Sequence, residues 1–308
     1  MNDTDIKVFG HKAPDTDATC SAIIWAWYLS EVQGKPATPF VLGTPNKEAR
    51  FVLERWGVGM PALLGPLGEG DEVVIVDTNN PAELPEDLDK ADIAEIIDHH
   101  LLAGLTTRRP IKVTIRPVAA TATVIHWLVG RDMEQAPDWV RGLMLSCILS
   151  DTLEFRSPTT TPTDREVAEG LARQLGIDIP SYAAEMFRAK SDVSDCSDAE
   201  LLRLDSKKYE VDGVKFRISV LETTAPEVVL ARKEGLMAAM ETVAREDGVD
   251  QVLLFIVDIL EGKATLLVPN DLVRKVAEKS FGAKVEGDTV TLPGIVSRKK
   301  QIIPALKV

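Results

Sequence analysis

Apolar runs of strand length alternate with segments of helical pattern over residues 1–125. Asp5–Gly10, Glu72–Asp77 and Ile93–Asp98 are short and largely apolar, and Thr19–Glu31 is an apolar segment of helix length. Apolar strands separated by helices are typical of a parallel sheet that is buried on both faces. The pattern therefore predicts an α/β domain with a doubly wound, mainly parallel sheet and helices on both faces.

The pattern changes at a short polar segment, 189–196, which shows no periodicity and predicts a linker. Beyond it, strand-length runs flank tight-turn sequences such as Asp212-Gly213. Turns of this kind join antiparallel strands. We therefore expect two domains, 1–188 and 197–308, and the second should be a smaller mixed α/β domain with mainly antiparallel strands.

Composition narrows the class of protein. The chain has 308 residues, a net charge of -13 and only three cysteines. It contains no apolar run of the roughly 18–20 residues that a membrane span needs, and its acidic N-terminus does not resemble a signal peptide. We therefore expect a cytoplasmic protein with no membrane partner. The negative charge also disfavours nucleic acid as a partner, and an anionic substrate would need a local group of cations.

Candidate metal ligands follow three of the predicted strands. They are His11, Asp15 and Asp17 after the first strand, Asp77 at the end of the second, and Asp98, His99 and His100 at the end of the third. The carboxyl ends of parallel strands open onto one crevice, so these side chains should converge. Carboxylate and imidazole ligands together suit Mn²⁺ or Co²⁺ better than Mg²⁺ or Ca²⁺. The sequence thus predicts a site for two divalent metal ions.

Three aspartates have distinct expected roles at the predicted metal site. Asp77 stands alone at the tip of its strand and is the natural bridge between two ions. Asp151 ends an apolar helix, where the helix dipole disfavours a carboxylate, so a solvated helix end is the weaker interpretation. Asp98 is expected to orient the neighbouring histidines by hydrogen bonding. His126 lies within a helical pattern far from these motifs and is interpreted as structural.

Charge balance indicates where a phosphate substrate would bind. Four aspartates and two divalent ions form a nearly neutral centre, so further cations must hold a diphosphate. The second half of the chain offers Lys207-Lys208 and a basic cluster at 297–301. Arg298 and Lys299 are adjacent and cannot both face the same way from a regular strand. We therefore expect a turn or bulge at 297–299, with a strand resuming from about Lys300.

Four motifs in this order and spacing closely resemble the family II inorganic pyrophosphatases of the DHH phosphoesterase superfamily. They are GHKAPDTDATCSAI, IDHH, LMLSCILSDT and GIVSRKKQIIP. The resemblance covers essentially the whole chain. It implies a DHH-type catalytic domain, a DHHA2-like substrate-binding domain, an active site between them, a homodimer, and Mn²⁺ or Co²⁺ as preferred metals with Mg²⁺ accompanying the substrate.

The resemblance also implies a role for each matching residue. The metal ligands would be His11 and Asp15 on one ion, Asp17, His99 and Asp151 on the other, and Asp77 on both. His100 would contact the substrate and protonate the leaving phosphate. The phosphate-binding residues would be Lys207, Arg298 and Lys299. Two metals of this kind activate a bridging water as hydroxide. Thr78 departs from the family pattern, which commonly has histidine directly after the bridging aspartate.

Two other functions are compatible with parts of this pattern. The nearest is a DHH-type nuclease or nucleotide phosphatase. Those relatives carry a glycine-rich segment ending in histidine in the second domain, whereas this chain has no histidine after His126 and only 5% aromatic residues. The other is a non-catalytic phosphate or nucleotide sensor, which would be expected to have lost some ligands. Every motif ligand is present.

Overall fold

A computed structural model describes residues 5–308 of the chain, which form two compact units, one ending at Lys190 and the other spanning Ser191–Val308. The strands of the first unit are β1 (Ile6–Phe9), β2 (Ala37–Val41), β3 (Ala62–Leu63), β4 (Glu72–Val76), β5 (Asp92–Asp98) and β6 (Lys112–Ile115). Its helices are α1 (Thr16–Trp27), α2 (Lys47–Arg55), α3 (Thr121–Val129), α4 (Asp138–Thr152), α5 (Pro162–Leu175) and α6 (Ile179–Lys190).

The six strands of the first unit form one parallel sheet in the order β3-β2-β1-β4-β5-β6. The strand order reverses between β1 and β4, and a reversal of this kind opens a crevice at the carboxyl ends of the two strands. The parallel α/β architecture predicted from the apolar runs is thereby confirmed. The segments that follow β1 and β4 are the ones that carry the predicted ligands.

Helix α1 is buried on nearly its whole surface, which explains why its sequence is apolar throughout. It begins at Thr16, three residues before the start that the apolar pattern predicts, because the Asp15 side chain caps it by accepting from the backbone N–H of Ala18 at 3.0 Å. An N-cap carboxylate of this kind satisfies one of the free N–H groups of the first turn. The cap brings both Asp15 and Asp17 to the sheet edge.

Helices α2, α4 and α6 are joined by a buried polar contact. The indole N–H of Trp56, directly after α2, donates to the Tyr182 hydroxyl at 2.8 Å, and the oxygens of Tyr182 and Ser146 lie 2.6 Å apart. The Trp56 ring packs against the backbone of α4 at Gly142, where a Cβ atom would lie 2.1 Å from the ring. Glycine is therefore needed at this position for the three helices to pack.

The second unit contains a five-stranded mixed sheet in the order β11-β10-β9-β8-β7. Its strands are β7 (Ser206–Val211), β8 (Val214–Thr223), β9 (Gln251–Asp258), β10 (Lys263–Leu267) and β11 (Thr289–Pro293). Its helices are α7 (Asp198–Leu201), α8 (Pro226–Leu230), α9 (Lys233–Asp247), α10 (Asp271–Phe281) and α11 (Ile303–Ala305). Three strand pairs are antiparallel and β8–β9 is parallel, which confirms the predicted mixed domain.

The strand predicted from about Lys300 is wrong. After β11 the chain turns at Gly294, which has a φ of 74°, and enters a π-helical turn over Arg298–Ile302 that leads into α11. The Ser297 hydroxyl caps this turn by accepting from the backbone N–H of Lys300 at 3.4 Å. The apolar residues of this segment pack onto the sheet from a helix. Over so short a run, their pattern is the same as that of a strand. Within residues 5–308 no helix is long and apolar enough to cross a membrane.

The packing of α4 generates a stability prediction. Gly142→Ala should destabilise the protein by about 1–3 kcal/mol, because the new methyl group must displace the Trp56 ring and its bond to Tyr182. Gly170→Ala is a matched control within α5, where the nearest atom to the added Cβ is 3.9 Å away. That change should stabilise by about 0.5–1 kcal/mol through helix propensity. Denaturant unfolding measures both, and equal effects of the two substitutions would contradict the packing argument.

Candidate metal centre

Asp77 lies at the middle of the candidate metal centre. It follows β4 directly, is 1% exposed, and has a φ of 62°, in the left-handed region that favours glycine. Its backbone N–H donates to the Ile97 carbonyl of β5 at 2.9 Å, which holds this unusual conformation. Its two carboxylate oxygens meet different histidines: Oδ2 lies 3.4 Å from His11 Nε2, and Oδ1 lies 3.3 Å from His99 Nε2.

The side chains predicted as ligands converge in three overlapping groups, in each of which the ligand atoms lie within 4.8 Å of one another. The groups are His11, Asp15 and Asp77; Asp17, His99 and Asp151; and Asp77, His99 and His100. All six predicted metal ligands and His100 are therefore brought together. Because each oxygen of Asp77 faces a different histidine, this carboxylate is the one placed to serve two ions. The assignment of individual ligands to individual ions stays a prediction.

The two adjacent histidines are fixed by different partners. The Nδ1–H of His99 donates to the Val118 carbonyl at 3.1 Å, so Nε2 is the nitrogen that faces Asp77. Histidines that bind metals commonly donate their other ring N–H in this way. His100 is half exposed, and its Nδ1 lies 2.9 Å from Asp98 Oδ1. Asp98 is fully buried and also accepts from the backbone N–H groups of both histidines, as the orienting role predicts.

Asp17 is held at the N-terminus of α3. Its fully buried carboxylate accepts from the backbone N–H groups of Thr121 at 2.6 Å and Ala122 at 3.1 Å, and from the Ser21 hydroxyl at 2.9 Å. A helix N-terminus stabilises a carboxylate through its free N–H groups and its dipole. The Thr121 hydroxyl also donates to Asp77 Oδ1 at 3.0 Å. One residue therefore positions two predicted ligands.

The electrostatics of the centre show a strong excess of negative charge. Burial and the charge of Asp77 raise the pKa of Asp17 to about 7, and burial together with the charges of Asp17 and Asp15 raises the pKa of Asp151 well above its usual range. Burial opposes protonation of His11, but hydrogen bonds to Asp15 and Asp77 outweigh it and raise its pKa to about 10.

The pKa values of His99 and Asp77 follow the same balance. Burial lowers the pKa of His99, but the hydrogen bond to Asp77 and the charge of Asp17 raise it to about 9. Burial would raise the pKa of Asp77, but hydrogen bonds from the two histidines lower it. Protons on the imidazoles therefore offset the charges of the aspartates. Divalent cations would do the same more fully, and the mixed oxygen and nitrogen donors fit such ions.

Thr78 and His126 are separate from these ligand groups. Thr78, where the family resemblance led us to expect histidine, is 1% exposed, and its hydroxyl donates to Glu83 Oε2 at 2.7 Å. The departure from the family pattern therefore places a satisfied hydroxyl beside Asp77. His126 lies in α3, belongs to none of the ligand groups found among residues 5–308, and has a pKa lowered by burial, as expected for a structural histidine.

The predicted phosphate-binding residues lie in the second unit, around the start of β7. The guanidinium of Arg298 donates to the backbone carbonyl of Asp205 at 2.7 Å and to its carboxylate at 2.8 Å. Asp205 stands two residues before Lys207, which is exposed on β7. Lys299 and Lys300 are exposed on the π-helical turn. The fold therefore brings Arg298 and Lys207 into one neighbourhood across 91 residues of sequence.

Sequence reasoning missed Thr121, the first residue of α3, and Val118, three residues before it, which position predicted ligands. Both lie in an otherwise small and apolar stretch, PVAATATVIH. A threonine in the first turn of a helical pattern is the signal that could have been used, because helix N-termini present free N–H groups to which carboxylates bind. The backbone contribution of Val118 leaves no signal in the sequence.

Both units of the chain resemble known proteins. Residues 5–150 match the model of the DHH family N-terminal domain, and residues 184–308 match that of the DHHA2 domain. A Methanocaldococcus jannaschii protein, "Manganese-dependent inorganic pyrophosphatase", is 38% identical over 311 residues, covering 97% of each chain. A Deinococcus radiodurans protein, "Probable manganese-dependent inorganic pyrophosphatase", is 41% identical over 310 residues, covering 98% of each.

A solved structure gives the third comparison. The crystal structure of a Methanococcus jannaschii protein assigned to the family II inorganic pyrophosphatases matches with a TM-score of 0.62 and 36% sequence identity. The match covers 97% of each chain. The sequence relatives and the solved structure therefore agree over both units.

The contacts of Thr121 generate a prediction about metal binding. Thr121→Val removes the hydroxyl that donates to Asp77 but keeps the backbone N–H that donates to Asp17. We expect Mn²⁺ affinity to fall by about ten- to a hundred-fold, as is typical when a residue that orients a metal ligand is lost. Thr121→Ser keeps the hydroxyl and should retain most of the affinity. Calorimetric titration of chelator-stripped protein compares the three forms, and equal affinities would rule out the positioning role.

Proposed function

This chain belongs to the family II, manganese-dependent inorganic pyrophosphatases, and from that premise we propose that it hydrolyses inorganic pyrophosphate to two phosphates at a pair of divalent metal ions. The observation that carries the proposal is the shared position of Asp77 between two ligand groups. A single ion would need only one of these groups. Two ions on one carboxylate suit a reaction in which both the attacking and the leaving oxygen carry negative charge.

The proposed ligands are those that the motifs predict. His11 and Asp15 would hold one ion, Asp17, His99 and Asp151 the other, and Asp77 both. When bound, the ions supply Lewis acidity, which polarises phosphoryl oxygens and lowers the pKa of water. The relatives' names support manganese as the metal.

His100 is the proposed proton donor to the leaving phosphate. Its side chain is half exposed, so it can reach a substrate, while Asp98 holds its ring through Nδ1 at 2.9 Å. The hydrogen bond to Asp98 raises the pKa of His100, which favours the protonated form of the ring. A general acid is most effective when its pKa lies near the working pH.

Lys207, Arg298 and Lys299 are the proposed phosphate-binding residues. Their combined charge would complement a substrate that the nearly neutral metal centre alone cannot hold. Arg298 is held by Asp205, and its side chain is only 10% exposed, so its orientation is fixed before any substrate arrives. Fixed donors aimed at developing charge do not have to reorganise during the reaction.

The proposal extends to several finer points on the family resemblance alone. We propose Co²⁺ as an alternative to Mn²⁺, Mg²⁺ as an ion that accompanies pyrophosphate, a homodimer as the assembled form, and a cytoplasmic location. Pyrophosphate is the proposed small-molecule partner, without nucleic acid or membrane partners. The negative charge of -13 supports the exclusion of nucleic acid.

Metal replacement tests the proposed function directly. Chelator-stripped protein should release no phosphate from pyrophosphate, and Mn²⁺ or Co²⁺ should restore more activity than Mg²⁺ alone, because His11 and His99 supply nitrogen ligands. Phosphate release is measured with each ion added back separately, and a nucleoside monophosphate serves as the alternative substrate. Full activity with Mg²⁺ alone would contradict the imidazole ligands, and preference for the nucleotide would contradict pyrophosphate as the substrate.

Substitutions in the basic cluster test the phosphate-binding residues. Arg298→Ala and Lys299→Ala should each lower kcat/KM by about ten- to a hundred-fold, because a charged hydrogen bond to phosphate is worth roughly 1.5–3 kcal/mol. Lys300→Ala is the matched control. Successive side chains on a helix are roughly 100° apart, so Arg298 and its neighbour Lys299 can face the same side. Lys300, two residues after Arg298, points to the opposite side from Arg298. Its effect should be mild.

The same variants must remain folded and keep their Mn²⁺ affinity, since all the predicted metal ligands lie in the first unit. Activity close to that of the wild type in both Arg298→Ala and Lys299→Ala would assign the cluster to the solvated surface.

A further inference from the structure

A buried carboxylate outside the ligand set lies at the meeting point of three helix ends. Glu48, in the first turn of α2, is fully buried. Its Oε2 accepts from the Thr16 hydroxyl at 2.9 Å, the Ser150 hydroxyl at 2.7 Å and the Lys190 ammonium at 3.2 Å. Its other oxygen, Oε1, is also buried and has no hydrogen-bond partner among the described residues. A buried charge is costly, so its retention here points to a specific task.

The hydrogen-bond partners of Glu48 are the chain neighbours of predicted metal ligands. Thr16 stands between Asp15 and Asp17 at the start of α1, and Ser150 directly precedes Asp151 in the last turn of α4. One oxygen atom therefore ties together the two helix ends from which three aspartates project. A second tie joins the same helices, because the Cys147 thiol donates to the backbone carbonyl of Thr16 at 3.6 Å.

We propose that Glu48 is a positioning residue of the metal centre, which sets the separation between the aspartates of α1 and Asp151 of α4. Asp17 and Asp151 belong to the same ligand group, together with His99. Because the two ligands project from different helix ends, a contact that fixes those ends also fixes the spacing of the ligand atoms. Glu48 holds both ends without contacting an ion itself. This inference rests on the proposed function for the identity of the ion.

Lys190 completes the arrangement by offsetting the charge of Glu48. Its side chain is 37% exposed and lies at the last residue of α6 and of the first unit. A lysine that is partly exposed can keep its ammonium solvated while it pairs with a buried carboxylate. The pair adds no net charge beside the four aspartates, so Glu48 can act through geometry without adding to their repulsion.

Mn²⁺ titration of chelator-stripped variants tests the proposal. Glu48→Ala removes the acceptor for both hydroxyls, and we expect Mn²⁺ affinity at the group of Asp17, His99 and Asp151 to fall by about ten- to a hundred-fold. Glu48→Gln keeps an oxygen that accepts from Thr16 and Ser150 and should restore most of the affinity. Glu95→Ala is a matched control, because Glu95 is also nearly buried and pairs with Lys112 at 2.6 Å, away from these helix ends.

A second pair of variants keeps the test decisive if Glu48→Ala does not fold. Ser150→Ala removes one hydroxyl donor to Glu48 and should weaken Mn²⁺ binding while the unfolding midpoint of the stripped protein changes little. Ser146→Ala is its control one turn earlier in α4, because this buried hydroxyl contacts the Gly142 carbonyl at 2.7 Å and the Tyr182 hydroxyl at 2.6 Å but not Glu48. It should leave Mn²⁺ affinity unchanged even where the unfolding midpoint falls. Where Glu48→Ala folds, adding Ser150→Ala to it should cause no further loss, since the hydroxyl has lost its acceptor.

Three results would overturn the proposal. They are wild-type Mn²⁺ affinity in folded Glu48→Ala or in Ser150→Ala, losses in Glu48→Gln as large as in Glu48→Ala, and equal losses in the two control variants. Pyrophosphate hydrolysis by the wild-type protein is measured in parallel. If the wild-type protein binds two Mn²⁺ ions but does not hydrolyse pyrophosphate, the proposed function is rejected and the positioning role of Glu48 still stands. If the wild-type protein hydrolyses pyrophosphate but the variants bind Mn²⁺ as tightly as it does, the proposed function stands and the positioning role is rejected.

Discussion

Mutual repulsion among four aspartates at the carboxyl edge of the parallel sheet is the constraint on which the first unit depends. Asp17 and Asp77 are almost completely buried, so their charges cannot be screened by water. The fold meets this cost with fixed donors. Backbone N–H groups at the start of α3 donate to Asp17. Hydrogen bonds to Asp77 raise the pKa values of His11 and His99, so the two imidazoles hold protons that offset its charge. Divalent ions would neutralise the negative charge that these donors leave uncompensated.

The sheet topology makes this concentration of charge possible. The reversal of strand order between β1 and β4 opens the crevice into which His11 and Asp77 project from neighbouring strands. β5 lies on the other side of β4 and delivers His99 to the second oxygen of Asp77. The left-handed backbone at Asp77 is the local strain that this arrangement requires, and the bond to the Ile97 carbonyl sustains it.

The parts of this structure that sequence predicts are those with a repeating or clustered signal. The apolar strands and the aspartates and histidines after them predict the sheet and the ligand set, because both follow from strand order and residue chemistry. The strand predicted at Lys300 fails because a short apolar run packs equally well from a helix. Thr121 and Glu48 escape prediction because their roles depend on contacts across 44 and 32 residues of sequence. Neither residue type is unusual in its local setting.

The same reasoning gives a physical ground for proposing that the phosphate-binding cations belong to the second unit. A lysine or arginine placed among the buried aspartates would pair with them and compete with the metal ions, as the protonated imidazoles already do. In the second unit, Arg298 is paired with Asp205 instead, and this pairing fixes the guanidinium while leaving Lys207 exposed beside it. The lysines and arginine of the second unit therefore belong to a different folding unit from the buried aspartates, whose charge is left for metal ions to neutralise.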